Sequence, residues 1–106
     1  NERPCRESRG GWFSFDMKSL PDQPLSLVVD YWGGFPGAKT FDILVNGKVI
    51  ATENISNKKE GQFISPEYII PEELTKGQRK ITVKFQAHPK NAAGPVFGVR
   101  VIQRKE

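Results

Sequence analysis

The sequence predicts an all-β fold, an antiparallel sandwich of about seven strands with one short helical turn. Three observations point there. From Phe41 to Asn46, apolar Phe41, Ile43 and Val45 alternate with Asp42, Leu44 and Asn46, and Asn46-Gly47 then precedes a second extended run. Asn and Gly tolerate the positive φ that a type I′ turn demands, so the stretch reads as a hairpin. From Lys80 to Gln86 the period of two is unbroken, with Ile81, Val83 and Phe85 facing one way and Thr82, Lys84 and Gln86 the other. Ten glycines and eight prolines in 106 residues supply many turns and argue against long helices.

The elements follow in order. Residues 1–9 are polar and aperiodic and read as a linker or the tail of a preceding segment, which leaves 10–106 for the domain. Trp12 to Met17 has strand propensity, and Pro21 to Pro24 breaks it. Leu25 to Trp32 is apolar on both faces, with Leu27, Val29 and Tyr31 on one and Val28 and Trp32 on the other, as a central buried strand requires. Gly33 to Gly37 is a loop. The hairpin strands span 41–46 and 48–55, and 57–61 form a polar turn. Phe63 to Ile70 is extended but holds Pro66, which marks a bulge or an edge position. Pro71 and Gly77 bracket a single helical turn. After the strand at 80–86, residues 88–95 read as a loop. Val96 to Ile102 is the last strand, with Phe97, Val99 and Val101 inward and Arg100 outward.

Bulk properties narrow the function classes. The chain fits one domain, and 37% hydrophobic residues suffice for a two-layer core. Its net charge of +4 is spread along the chain and interleaved with acids, which suits surface solvation rather than a nucleic-acid partner. The single cysteine, Cys5, allows no internal disulfide. No apolar run approaches the roughly 20 residues of a membrane helix, so no membrane insertion is expected. The polar N-terminus, lacking Met and any signal peptide, reads as the start of a fragment cut from a longer protein.

Several blocks resemble a known family: Gly10-Gly11-Trp12-Phe13-Ser14-Phe15-Asp16, Leu27 to Gly34, the Phe41–Gly47 hairpin, Ile70 to Gly77, Val83 to Ala87 and Gly94 to Arg100. Together they are similar to a C-terminal β-sandwich domain of unknown function in bacterial, chiefly Bacteroidetes, proteins related to glycoside hydrolase family 127, the β-L-arabinofuranosidases. The resemblance implies a jelly-roll or galactose-binding-like sandwich. It implies a non-catalytic accessory domain of an exported, periplasmic or extracellular, hydrolase, packed against the catalytic domain of the same chain. A carbohydrate-binding module is the alternative, and a stand-alone adhesion module the next. The family's catalytic residues lie outside these blocks, so none is assigned here.

The residues themselves offer no catalytic constellation. His88 is the sole histidine and has no metal-ligand spacing with Cys5, so no metal and no cofactor are expected, and it reads as a surface or loop-packing residue. Asp16, Asp30 and Asp42, with Glu67, Glu72 and Glu73, are as many carboxylates as a sandwich holds by chance, without a visible acid/base pair. Asp42 is expected to face solvent or to bond a neighbouring strand's backbone, and Arg100 is expected to pair with Asp16, Asp30 or Asp42 across a sheet. Sugars stack on exposed rings. Trp12 and Tyr31, inside strand runs, read as core, whereas Trp32 and Phe35 beside the glycine-rich loop are open to either role. If successive strands alternate in direction, the loops 33–39, 57–62 and 88–95 share one end. They bring Trp32, Phe35 and Lys39 together with Asn57, Lys58, His88 and Asn91, the mixture of aromatic surface and hydrogen-bonding groups that a glycan site needs.

Overall fold

The computed structural model describes residues 6–9, 11–20, 23–32, 40–54, 63–89 and 92–104. They form strands β1 (Arg6–Arg9), β2 (Trp12–Lys18), β3 (Leu25–Trp32), β4 (Thr40–Val45), β5 (Lys48–Asn54), β6 (Phe63–Ile64) and β7 (Glu67–Ile70). Helix α1 (Glu72–Thr75), β8 (Lys80–Ala87) and β9 (Ala92–Gln103) follow. A first sheet has the order β1-β9-β3-β6, with β7 also paired to β3, and a second has the order β2-β8-β4-β5. Every pairing is antiparallel. The fold is an all-β sandwich of two stacked sheets.

Alternation decides what each strand buries. Leu25, Leu27, Val29 and Tyr31 of β3 face Phe41, Ile43 and Val45 of β4 and Ile81, Val83 and Phe85 of β8 across the interior, all with 0–1% exposure. Phe85 stacks on Phe13 at 5.1 Å, and Tyr31 reaches Phe41 at 5.8 Å across the two sheets. Ser26 and Val28, on the other face of β3, are also buried, as a central strand between β9 and β7 demands. The hairpin turns on Asn46 (φ 49°) and Gly47 (φ 85°), the two left-handed residues of a type I′ turn. Pro66 interrupts the edge of the first sheet, separating β6 from β7 where the ladder can spare a donor.

Three expectations need correction. Residues 6–9, read as linker, form β1 and pair with β9. Backbone hydrogen bonding at an edge needs no apolar period, so the polar sequence gave no sign of it. Residues 92–95, read as loop, belong to β9. Phe97 does not face the core. The register of β9 shifts between Asp30↔Gly98 and Tyr31↔Val96, so Val96 is buried with Val99 and Val101 packed below it, and Phe97 is the extra residue.

Candidate functional site

The strand ends at Trp32, Thr40, Asn54, Phe63 and Ala87 lie at one end of the sandwich. Thr40 pairs with Asn54 and Phe41 with Ala87 in the second sheet, and Trp32 pairs with Phe63 in the first. The Tyr31–Phe41 contact superimposes these two ends across the core. Phe35, Lys39, Asn57, Lys58 and Asn91 lie outside the described residues. Trp32 and His88 are described, and they stand on the outer faces of different sheets.

On the first sheet, Trp32 follows inward-facing Tyr31 and therefore points outward. Its ring meets Phe63 edge to face at 4.8 Å, and Phe63 meets Phe97 in the same way at 5.2 Å. The bulge in β9 is what turns Phe97 to this face. Two residues down β3, the Asp30 carboxylate accepts from Ser65 Oγ at 2.6 Å and from Arg100 at 3.2 and 3.3 Å. The sequence named Asp30 among three partners for Arg100, and this is the pair that forms. An aromatic cluster thus sits beside a fixed acid, guanidinium and hydroxyl at the loop-bearing end. Phe63 and Phe97 were not legible as site residues, because one borders a proline-broken edge and the other is displaced by a bulge.

On the second sheet, His88 follows inward-facing Ala87, and its Nε2 lies 2.9 Å from Asp42 Oδ1. Thr52 Oγ1 donates to the same oxygen at 2.7 Å. Hydrogen bonds from His88 and then Thr52 hold the Asp42 carboxyl below its usual range. Asp42 therefore bonds side chains on two flanking segments rather than backbone. Trp12, expected in the core, is 57% exposed on this face, with the Lys84 ammonium 4.6 Å from its ring centre. The inward set is Phe13, Phe15 and Met17. Alternation from Phe13 was the signal that placed Trp12 outside, and aromatic strand propensity obscured it.

The opposite end carries the Asn46-Gly47 turn and α1, joined by Asn46 Nδ2 donating to the Leu74 carbonyl at 3.0 Å. A depression there is lined by Gln23, Glu72, Glu73, Thr75 and Lys76. Among the described residues, no group of three His, Cys, Asp or Glu side chains could hold a metal ion, and no helix is long and apolar enough to cross a membrane.

The architecture is similar to two solved structures. A family 35 carbohydrate binding module from an environmental isolate is 16% identical, with a TM-score of 0.72 over 90% of this chain and 67% of its own. The native structure of a family 35 carbohydrate binding module from Clostridium thermocellum is 12% identical, with a TM-score of 0.65 over 91% and 73%. At these identities the likeness establishes the sandwich fold. No curated protein matches the chain significantly. The family of unknown function DUF6805 matches residues 1–102, and the chain belongs to that family.

Proposed function

We propose that this chain is a non-catalytic carbohydrate-binding module. One observation supports the reading above others: Trp32, Phe63 and Phe97 gather next to the Asp30–Arg100–Ser65 network at the loop-bearing end. Ring faces and edges suit the C–H surface of a sugar, and fixed donors and acceptors suit its hydroxyls. The likeness to two carbohydrate-binding modules favours binding over a purely structural role. In this reading Phe35, Lys39, Asn57, Lys58 and Asn91 extend the site from the loops, and His88 flanks it from the second sheet. The finer setting is a longer, exported bacterial protein of glycoside hydrolase type.

Packing against a neighbouring domain of such a protein is the second reading. Ile69 and Ile102 favour it: both are paired across from Ser26 on the outer face of the first sheet, and they are 64% and 36% exposed. Titration with plant and host glycans, read by NMR, separates the two readings. Chemical shift changes at Trp32 and Phe63, lost in Trp32→Ala with its thermal unfolding unchanged, are expected of the binding module. Silence toward every glycan leaves the packing role.

A further inference from the structure

We propose a second, separate glycan-binding surface on the outer face of the second sheet, built on Trp12, Gln86 and Asp42 and suited to a neutral, extended chain. The register sets these side chains in line. Trp12 pairs with Gln86, Gln86 with Asp42, and Asp42 with Thr52, so one row crosses all four strands. With strands about 4.8 Å apart, the row is roughly 14 Å long, enough for a short run of linked sugars lying across the strands.

The chemistry along the row is ordered. Trp12 at one end is more than half exposed, and the Lys84 ammonium fixes its ring by a cation–π contact at 4.6 Å. Gln86 Nε2 is committed to the Gly11 and Ala87 carbonyls at 3.2 and 3.3 Å, which directs Oε1 away from the backbone as an acceptor. Asp42 Oδ1 is committed to Thr52 and His88, and Oδ2 has no partner among the described residues. Two pre-set acceptor oxygens beside an exposed ring fit a ligand that offers several hydroxyl donors and an apolar face. The Asp42 carboxylate is balanced by the Lys84 ammonium beside Trp12, so the surface does not select for a charged ligand, and its acceptors fit a neutral one. The row runs from one outer strand of the sheet, β2, to the other, β5, so the interior of a chain suits it as well as a terminus.

Two tryptophans occupy the chain, and one lies on each surface. Their indole N–H signals therefore report the sites separately. The test is titration of the full chain with xylo-, cello- and manno-oligosaccharides of increasing length and with the corresponding neutral polysaccharides. The expected result is a shift of the Trp12 indole and the Gln86 side-chain amide, with affinity rising with length to a plateau. Trp12→Ala should weaken this binding about tenfold or more, with unfolding temperature unchanged, and Trp32→Ala should leave it intact. Binding that moves only the Trp32 indole and survives Trp12→Ala overturns the second surface and leaves the loop-end site standing. Binding that moves only the Trp12 indole does the reverse. Stronger binding of acidic than of neutral chains at Trp12 overturns the ligand class, and no shift at either indole with any glycan overturns both sites.

Discussion

The Tyr68 hydroxyl donates to Glu53 Oε2 at 2.7 Å, and this bond ties the first sheet to the second. Tyr68 stands on β7 and Glu53 on β5, the edges of their sheets on this side. The Tyr31 hydroxyl lies 3.1 Å from that of Tyr68. The one O–H of Tyr68 is used in donating to Glu53, so Tyr31 donates to Tyr68. Burial, first of all, pushes the pKa of both phenols up, so they stay protonated donors at neutral pH. A hydrophobic sandwich thus closes one edge with a directional chain of three polar side chains.

Removing the middle of that chain should be costly. Tyr68→Phe keeps the ring but leaves the buried Tyr31 hydroxyl without its acceptor. A loss of about 1–3 kcal/mol is expected in urea unfolding. Adding Tyr31→Phe removes the stranded hydroxyl, so the double variant should be more stable than the sum of the single losses predicts. Strict additivity would show that the two hydroxyls do not act together.

The core prediction rests on Phe85. Its ring stacks on Phe13 and lies 6.1 Å from Phe41 and 6.2 Å from Phe15. Phe85→Ala should cost about 3–5 kcal/mol, enough to unfold much of a domain of this size at physiological temperature. Lys84→Ala, one residue away on the outer face, should cost less than about 1 kcal/mol. Equal effects at the two positions would contradict the register.

These two neighbours also show what the sequence made legible. A period of two with a clean polar face fixes the orientation of every residue in β8, and the period of two alone does so in β4, where Leu44 lies on the outer face. Such strands answer to a single rule, the burial of one face. Trp12 and Phe97 answer to two. Trp12 is a strong strand former, but its side is set by the inward run of Phe13, Phe15 and Met17. Phe97 alternates correctly with Val99, yet a bulge next to Gly98 removes it from the core. The pairing of β1 with β9 is a backbone event at an edge, with no signal in side-chain pattern. The candidate sites suffer most, because a site depends on which strands become neighbours. Gln86 and Asp42 lie far apart in the chain and adjacent in the sheet.

The Asn46-Gly47 turn separates conformational from contact effects. A Cβ on Gly47 meets nothing within 4 Å, so Gly47→Ala should lose only what the φ of 85° imposes, about 1 kcal/mol. Asn46 does more than turn the chain. Its Oδ1 accepts from the Thr82 backbone N–H at 2.9 Å while its Nδ2 donates to Leu74. Asn46→Gly keeps the positive φ and loses both bonds. It should destabilise the protein by about 1–2 kcal/mol and increase hydrogen exchange at the Thr82 amide. An unchanged exchange rate there would remove the side chain from the account.

The acid limb of stability should report Asp42. Its carboxyl is held low by His88 first and Thr52 second, so its folded-state value lies below its unfolded one. Such a group contributes stability that is fully present above the unfolded carboxyl value of about 4, and loses it as pH falls through the folded value. Urea midpoints measured from about pH 5 down to pH 2 should therefore drop less steeply in Asp42→Asn than in the natural chain. His88→Ala should remove the larger share of that slope and Thr52→Val the smaller, following the order of the two bonds. Both variants leave the carboxylate in place, so the difference between them compares the two partners, His88 acting through its charge as well as its hydrogen bond and Thr52 through its hydrogen bond alone. An acid limb unchanged in His88→Ala would mean that the imidazole does not hold Asp42 down, and the preset acceptor in the Trp12 row would lose its main support.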